Sequence, residues 1–130
     1  MQIKSFKDLM VWQRAMDLIP EVYLITSKLP SKEAYGLSSQ LQRASVSIPS
    51  NIAEGSKRSS RVDFRQFCKV ALGSAAELET QLIVVQKIYP SILVDDALLM
   101  VTEIQKMLSS LTGKLAITSE PKNHKLKTTN

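Results

Sequence analysis

The residues of this sequence that could perform chemistry are polar side chains spaced by three or four along two predicted helices. This polar stripe consists of Gln40, Arg43, Ser47, Asn51, Glu54 and Glu77. A serine near an arginine and a glutamate suggests nucleophilic catalysis, but a serine nucleophile needs a histidine or lysine base, and the stripe contains neither. We therefore expect no enzymatic activity, and a stripe that borders the core with its charges paired across helices.

The charges of the polar stripe suggest one specific contact. We expect Arg43 to pair with Glu77 or Glu79 and so to fix the register of two helices, or of two subunits. Gly73 and Ser74 are small enough to let a neighbouring backbone approach closely. The alternative is that these charges are solvated and contribute under about 1 kcal/mol each.

Basic side chains gather at the predicted turn between the second and third helices. This basic hairpin consists of Lys57, Arg58, Arg61, Arg65 and Lys69. The last four form a ladder on one side if the third helix extends back to the turn. Such a strip can neutralise the phosphates of RNA or DNA, and because no stacking aromatic lies among the five residues, it predicts binding without sequence preference. A merely solvated cationic face is the alternative.

Other kinds of chemistry find little support. Cys68 is the only cysteine and His124 the only histidine, so we expect neither an intramolecular disulfide nor a metal site or cofactor. Gly55-Ser56-Lys57 lacks the upstream glycine of a phosphate-binding loop. A reduced thiol, the lack of an apolar leader and the lack of a membrane-spanning segment predict a soluble, cytoplasmic protein.

Composition favours helices. The 130 residues are 44% hydrophobic but only 5% aromatic, and glycines number four, so aliphatic side chains must build the core of a single domain. The formal net charge of +5 favours acidic partners such as nucleic acid.

Four amphipathic helices must position these residues. Ser5 to Asp8 and Ser60 to Asp63 have the spacing of a capping box and predict the starts of the first and third helices. Residues 35–38 open the second helix, and residues 94–96 the fourth. Apolar side chains recur at three- and four-residue steps along all four segments. We therefore predict an all-α, up-down-up-down antiparallel four-helix bundle.

The bundle is expected over residues 1–117, followed by a flexible, disordered basic tail over 118–130. Two prolines fall inside predicted helices. Helical phase is maintained across Pro20 and across Pro49, so we expect both helices to bend and continue. For Pro49, a new helix that starts at Ser47 is the alternative.

The first helix has more apolar surface than one bundle needs. One row is Val11, Ala15, Leu18, Val22 and Ile25, and a second row beside it is Leu9, Trp12, Met16, Ile19 and Tyr23. The surplus predicts that a neighbouring subunit covers part of this helix.

Four motifs make the chain similar to a small four-helix-bundle family encoded in intervening sequences of bacterial 23S ribosomal RNA genes. They are Phe6-x-x-Leu9-x-Val11-Trp12-x-x-Ala15, Tyr35-Gly36-Leu37-x-x-Gln40-x-x-Arg43-Ala44, Ser47-Ile48-Pro49-x-Asn51-Ile52-Ala53-Glu54-Gly55 and Gly73-Ser74-x-x-Glu77-Leu78-x-Thr80-x-Leu82. The resemblance implies a bundle that assembles as a homopentamer. The chain is also similar to the accessory protein of diversity-generating retroelements, which implies a nucleic-acid enzyme as a partner.

Together these features predict a non-enzymatic oligomer that binds RNA or DNA through its basic hairpin, as an accessory to a nucleic-acid enzyme. The alternative is a protein-interaction scaffold that self-assembles into a ring without binding nucleic acid.

Overall fold

The computed structural model describes residues 5–119, with side chains described to residue 116, and shows helices packed around one core. The helices are α1 (Met10–Ser27), α2 (Leu37–Ser56), α3 (Arg61–Ile88) and α4 (Asp95–Ser119), with short 3-10 helices at Phe6–Asp8 and Ser31–Glu33. Consecutive helices pack against one another and α4 packs against α1. The predicted all-α four-helix bundle is confirmed, with no strand among the described residues.

Aliphatic side chains fill the core, as the composition predicts. Leu18, Leu41, Leu78 and Leu108 come one from each helix and are fully buried. Burial of each such side chain stabilises the fold by about 1.5–3 kcal/mol. The first of the two apolar rows predicted for α1 is buried at every position, namely Val11, Ala15, Leu18, Val22 and Ile25. The predicted tail lies outside the described residues, except that Thr118 and Ser119 continue α4.

Only one of the two predicted capping boxes starts an α-helix. Ser60 Oγ accepts a hydrogen bond from the backbone N–H of Asp63 at 3.1 Å, and α3 begins at the next residue after Ser60. Ser5 instead caps a 3-10 turn, and the extended backbone of Leu9 separates that turn from α1. The break lets Phe6 fold back onto Trp12, with ring centroids 5.2 Å apart, so packing displaces the predicted start.

Proline does not end α2. The helix runs unbroken through Pro49, whose side chain is buried, so the alternative of a new helix at Ser47 is wrong. Hydroxyl and amide groups on both sides of Pro49 bond to backbone carbonyls. Ser45 Oγ donates to the carbonyl of Gln42 at 2.8 Å, and Asn51 Nδ2 donates to that of Ser47 at 2.8 Å. Pro20 likewise lies inside α1.

Helix α2 approaches α3 closely at Gly55, which is buried in the last turn of α2. A Cβ atom at this position would lie 2.6 Å from Phe67 Cβ and 3.3 Å from the carbonyl oxygen of Phe64. A side chain at position 55 is therefore excluded, because these atoms belong to the backbone or are attached directly to it and can move only if the helix moves. The prediction that Gly73 permits such an approach is wrong, since this residue is exposed and a Cβ atom there would meet nothing within 4 Å.

These two glycines form a matched pair for a stability test. Gly55→Ala should lower the free energy of unfolding by about 1–3 kcal/mol, because the added methyl group overpacks the contact with Phe67. Gly73→Ala should raise it by up to about 1 kcal/mol, because alanine favours an exposed helix. Urea unfolding followed by circular dichroism measures both. Equal effects of the two substitutions would contradict this account of Gly55.

Burial makes Cys68 a core residue with an unreactive thiol. Its side chain is fully buried in α3, and desolvation raises the pKa of the thiol from 9.0 to about 12. Since folding raises this pKa, the contribution of the neutral thiol to stability is complete below pH 9 and is lost as the pH rises towards 12.

We expect iodoacetamide to alkylate Cys68 at mildly alkaline pH only as fast as the protein unfolds, because the folded state lacks an accessible thiolate. Cys68→Ala should remove part of the loss of stability above pH 9. Mass spectrometry of the alkylated protein, with urea-unfolded protein as the control, measures the first effect. Rapid alkylation of folded protein would show that the thiol is accessible.

Candidate nucleic-acid interface

The turn between α2 and α3 spans residues 57–60 and divides the basic hairpin in two. Because α3 begins at Arg61, the ladder predicted from Arg58 onwards does not form. Arg61, Arg65 and Lys69 share one side of α3 at four-residue spacing. Arg58 belongs to the turn.

Both cations of the turn are held in place by aromatic rings. Arg58 Nη2 lies 2.8 Å from Glu54 Oε2, and the guanidinium lies 4.8 Å from the centre of the Phe67 ring. Lys57 Nζ lies 5.8 Å from the centre of the Phe6 ring. Both side chains remain exposed, so the Lys57 charge faces solvent, while the Arg58 charge is partly compensated by the Glu54 carboxylate.

Arg65 has a structural contact that the sequence did not predict. Its Nε donates to the backbone carbonyl of Thr112 at 3.1 Å and so joins α3 to α4. Thr112 is buried. A backbone acceptor has no signature in sequence, so this use of the arginine could be found only from the packing. Lys69 is exposed, whereas Arg61 is partly buried and borders a shallow pocket of about 150 Å³ with Arg58, Ser60 and Leu115.

Charge is distributed unevenly along the described bundle. The half that contains the turn, residues 5–18, 47–74 and 107–116, has cations at Lys7, Arg14, Lys57, Arg58, Arg61, Arg65, Lys69 and Lys114. Its carboxylates are Asp8, Asp17, Glu54 and Asp63. The other half has cations at Lys28, Lys32, Arg43, Lys87 and Lys106, and carboxylates at Glu21, Glu33, Glu77, Glu79, Asp95, Asp96 and Glu103. The turn therefore lies at the cationic end of the bundle.

The polar stripe is only partly assembled. Gln40, Arg43, Ser47 and Glu77 line a groove of about 490 Å³ between α2 and α3, together with Gln81. Asn51 lies beside the groove and donates to Ser47 Oγ at 3.0 Å. The sixth member, Glu54, is paired with Arg58 of the turn.

The predicted ion pair of Arg43 within the chain is wrong. Arg43 is exposed, and among the described residues it has no ion pair with Glu77 or Glu79. Glu79 instead accepts a hydrogen bond from Gln105 Nε2 at 3.0 Å. At the exposed ends of two long side chains, an ion pair gains too little to offset the entropy of ordering them.

Ser47 is a packing residue. Its hydroxyl lies 2.8 Å from the hydroxyl of Ser74, and this contact joins α2 to α3. The predicted close approach therefore holds at Ser74. Neither serine has a histidine or lysine base among its described hydrogen-bond partners. No group of three acidic, histidine or cysteine side chains in the described part of the chain is placed to hold a metal ion. None of the described helices could span a membrane.

Comparison with known proteins identifies the family. A crystal structure of a protein of unknown function from the S23 ribosomal protein family of Bacteroides thetaiotaomicron VPI-5482 aligns with a TM-score of 0.71 at 24% identity, over 79% of this chain and 95% of that one. At this identity the likeness shows the fold alone. No curated protein matches the chain. The family model described as 23S rRNA-intervening sequence protein matches residues 7–110, most of the chain, which therefore belongs to this family.

Proposed function

We propose that the protein is a non-enzymatic, self-associating bundle that binds RNA or DNA through its basic hairpin. The observation that supports nucleic-acid binding is the excess of cations around the α2–α3 turn, with Lys57, Arg58 and Lys69 exposed. Such a surface attracts a phosphate backbone whatever its base sequence, because the attraction acts between charges.

The contacts that hold these cations in place also support the proposal. Gly55 packs directly on Phe64 and Phe67, and Phe67 in turn supports the Arg58 guanidinium. When a phosphate binds, these side chains therefore lose less conformational freedom than mobile side chains would lose. Arg65 contributes positive charge while its Nε remains bonded to α4. The family name refers to intervening sequences of 23S ribosomal RNA, so RNA is the first probe to use. A nucleic-acid enzyme is the partner that we propose for such a protein.

Self-association is supported by the second apolar row of α1. Trp12 and Ile19 are partly buried, but Met16 and Tyr23 remain 41% and 44% exposed. One bundle leaves this row incompletely covered, and a second copy would remove it from water. We propose that the copies form a closed ring, for which five subunits is the number implied by the resemblance. A scaffold that assembles without nucleic acid is the second candidate, and this same row favours it.

Charge reversal tests nucleic-acid binding. Lys57→Glu with Lys69→Glu should abolish retention of RNA at moderate salt. The slope of log binding constant against log salt concentration should fall by about the amount that corresponds to two phosphate contacts. Both side chains are exposed, so the fold should survive. A mobility-shift titration at two salt concentrations measures the effect.

The matched control reverses two exposed lysines at the other end of the bundle, Lys28→Glu with Lys32→Glu. This variant has the same net charge as the test variant. If both variants lose RNA equally, binding depends on net charge and the basic hairpin is not the site. If the unmodified protein retains neither RNA nor DNA, the scaffold is the better description.

Polar substitution of the exposed apolar row tests self-association. Met16→Lys with Tyr23→Lys should convert the assembly to monomer, because lysine would place a charge in the buried interface. Light scattering after size-exclusion chromatography measures the mass. Leu99→Lys, at an exposed leucine of α4, is the control and should leave the mass unchanged. A monomeric unmodified protein would refute self-association.

A further inference from the structure

The groove between α2 and α3 has polar groups that no described residue of the chain satisfies. Arg43 and Glu77 both line it and are exposed, yet they form no ion pair with each other. Gln81 also lines it, and its side-chain oxygen is buried without a hydrogen-bond partner among the described residues. Buried polar atoms without partners are uncommon in folded proteins, so the Gln81 amide would gain a hydrogen bond by turning towards a donor in the groove.

The heights of these residues along the bundle axis can be compared by counting helical turns from the Ser47–Ser74 contact, which places those two serines at the same level. On α2, Arg43 and Gln40 lie about one and two turns from Ser47. On α3, which runs in the opposite direction, Glu77 and Gln81 lie about one and two turns from Ser74 on the same side. The guanidinium on one helix and the carboxylate on the other are therefore at similar heights along the bundle. The two glutamine amides also share one level.

We propose that this groove is a contact surface between copies of the chain, in which Arg43 of one copy pairs with Glu77 of the next. A rotation about an axis parallel to the helices keeps every residue at its own height. The α2 edge of one copy can then meet the α3 edge of its neighbour with the two charges opposed. At the next level, Gln40 donates a hydrogen bond to the amide oxygen of Gln81 once that side chain turns towards the neighbour.

The occupant of the groove is argued from charge complementarity. The groove has one cationic and one anionic edge, so an acidic or a basic partner alone would leave one of them unmatched. A second copy presents the opposite edge at each position. Because the two edges differ, the contact joins unlike surfaces and repeats around a closed ring. The second apolar row of α1 adjoins α2, since Tyr23 borders a groove that Ser38 and Gln42 also line, and it would lie on the same flank.

This inference rests on the proposed self-association, and a mixing experiment separates the two. Arg43→Glu and Glu77→Arg should each raise the dissociation constant of the assembly roughly tenfold or more, because each places like charges opposite one another. The two variants mixed in equal amounts should associate with each other, since every contact between unlike variants then opposes a carboxylate and a guanidinium. A ring of five cannot alternate throughout, so mixed species of any size, from the pair upwards, count as assembly. Native mass spectrometry, with one variant isotopically labelled, detects mixed assemblies.

Each result of the experiment is decisive. Lys106→Glu, a reversal at an exposed lysine of α4, which does not line the groove, is the control and should assemble as the unmodified protein does. If the two single variants keep the mass of the unmodified protein, self-association stands and the groove is not the contact. If they dissociate but do not assemble when mixed, the charges act within one chain and the inference is wrong. If the unmodified protein is monomeric, both proposals fail.

Discussion

Helices α2 and α3 are held together by a close contact that sets the geometry of both the basic hairpin and the polar groove. At one end it requires a residue without a side chain, because a Cβ atom at Gly55 would overlap the Phe67 side chain. Further along, it is fixed by the hydrogen bond between Ser47 and Ser74. Pro49 lies between these points with its side chain buried. The contact thus combines steric fit, a polar bond and apolar burial along one helix pair.

This contact also determines which charges reach the surface. It holds the end of α2 against the start of α3, on either side of the turn that carries Lys57 and Arg58. Phe67, which limits the space at Gly55, also lies beneath the Arg58 guanidinium. The packing of the core and the placement of the basic hairpin therefore share one aromatic side chain. Further along, the same contact sets the levels of the two edges of the polar groove.

Cations in the basic hairpin do not all have one role. Lys57 and Lys69 are exposed, whereas Arg65 donates to a backbone carbonyl of α4. Sequence spacing places Arg65 and Lys69 on one side of a helix but cannot tell which of them lies against a neighbour. The long side chain of Arg65 thus packs against α4, and in the proposed function it would also contribute charge towards phosphate. The cationic end of the bundle is therefore partly a surface and partly a helix junction.

The amino-acid sequence was enough to predict the four helices, most residues of the core and the position of the basic hairpin. Apolar spacing depends only on 3.6 residues per turn, which is why helical phase across Pro49 could be followed without coordinates. The capping of α3 by Ser60 could also be predicted, because the backbone N–H that it accepts from is only three residues away. Packing set the start of α1, the close approach at Gly55, the contact of Arg65 with Thr112 and the absence of an ion pair between Arg43 and any described carboxylate. Each of these depends on atoms brought together from distant segments, and helical spacing contains no information on those distances.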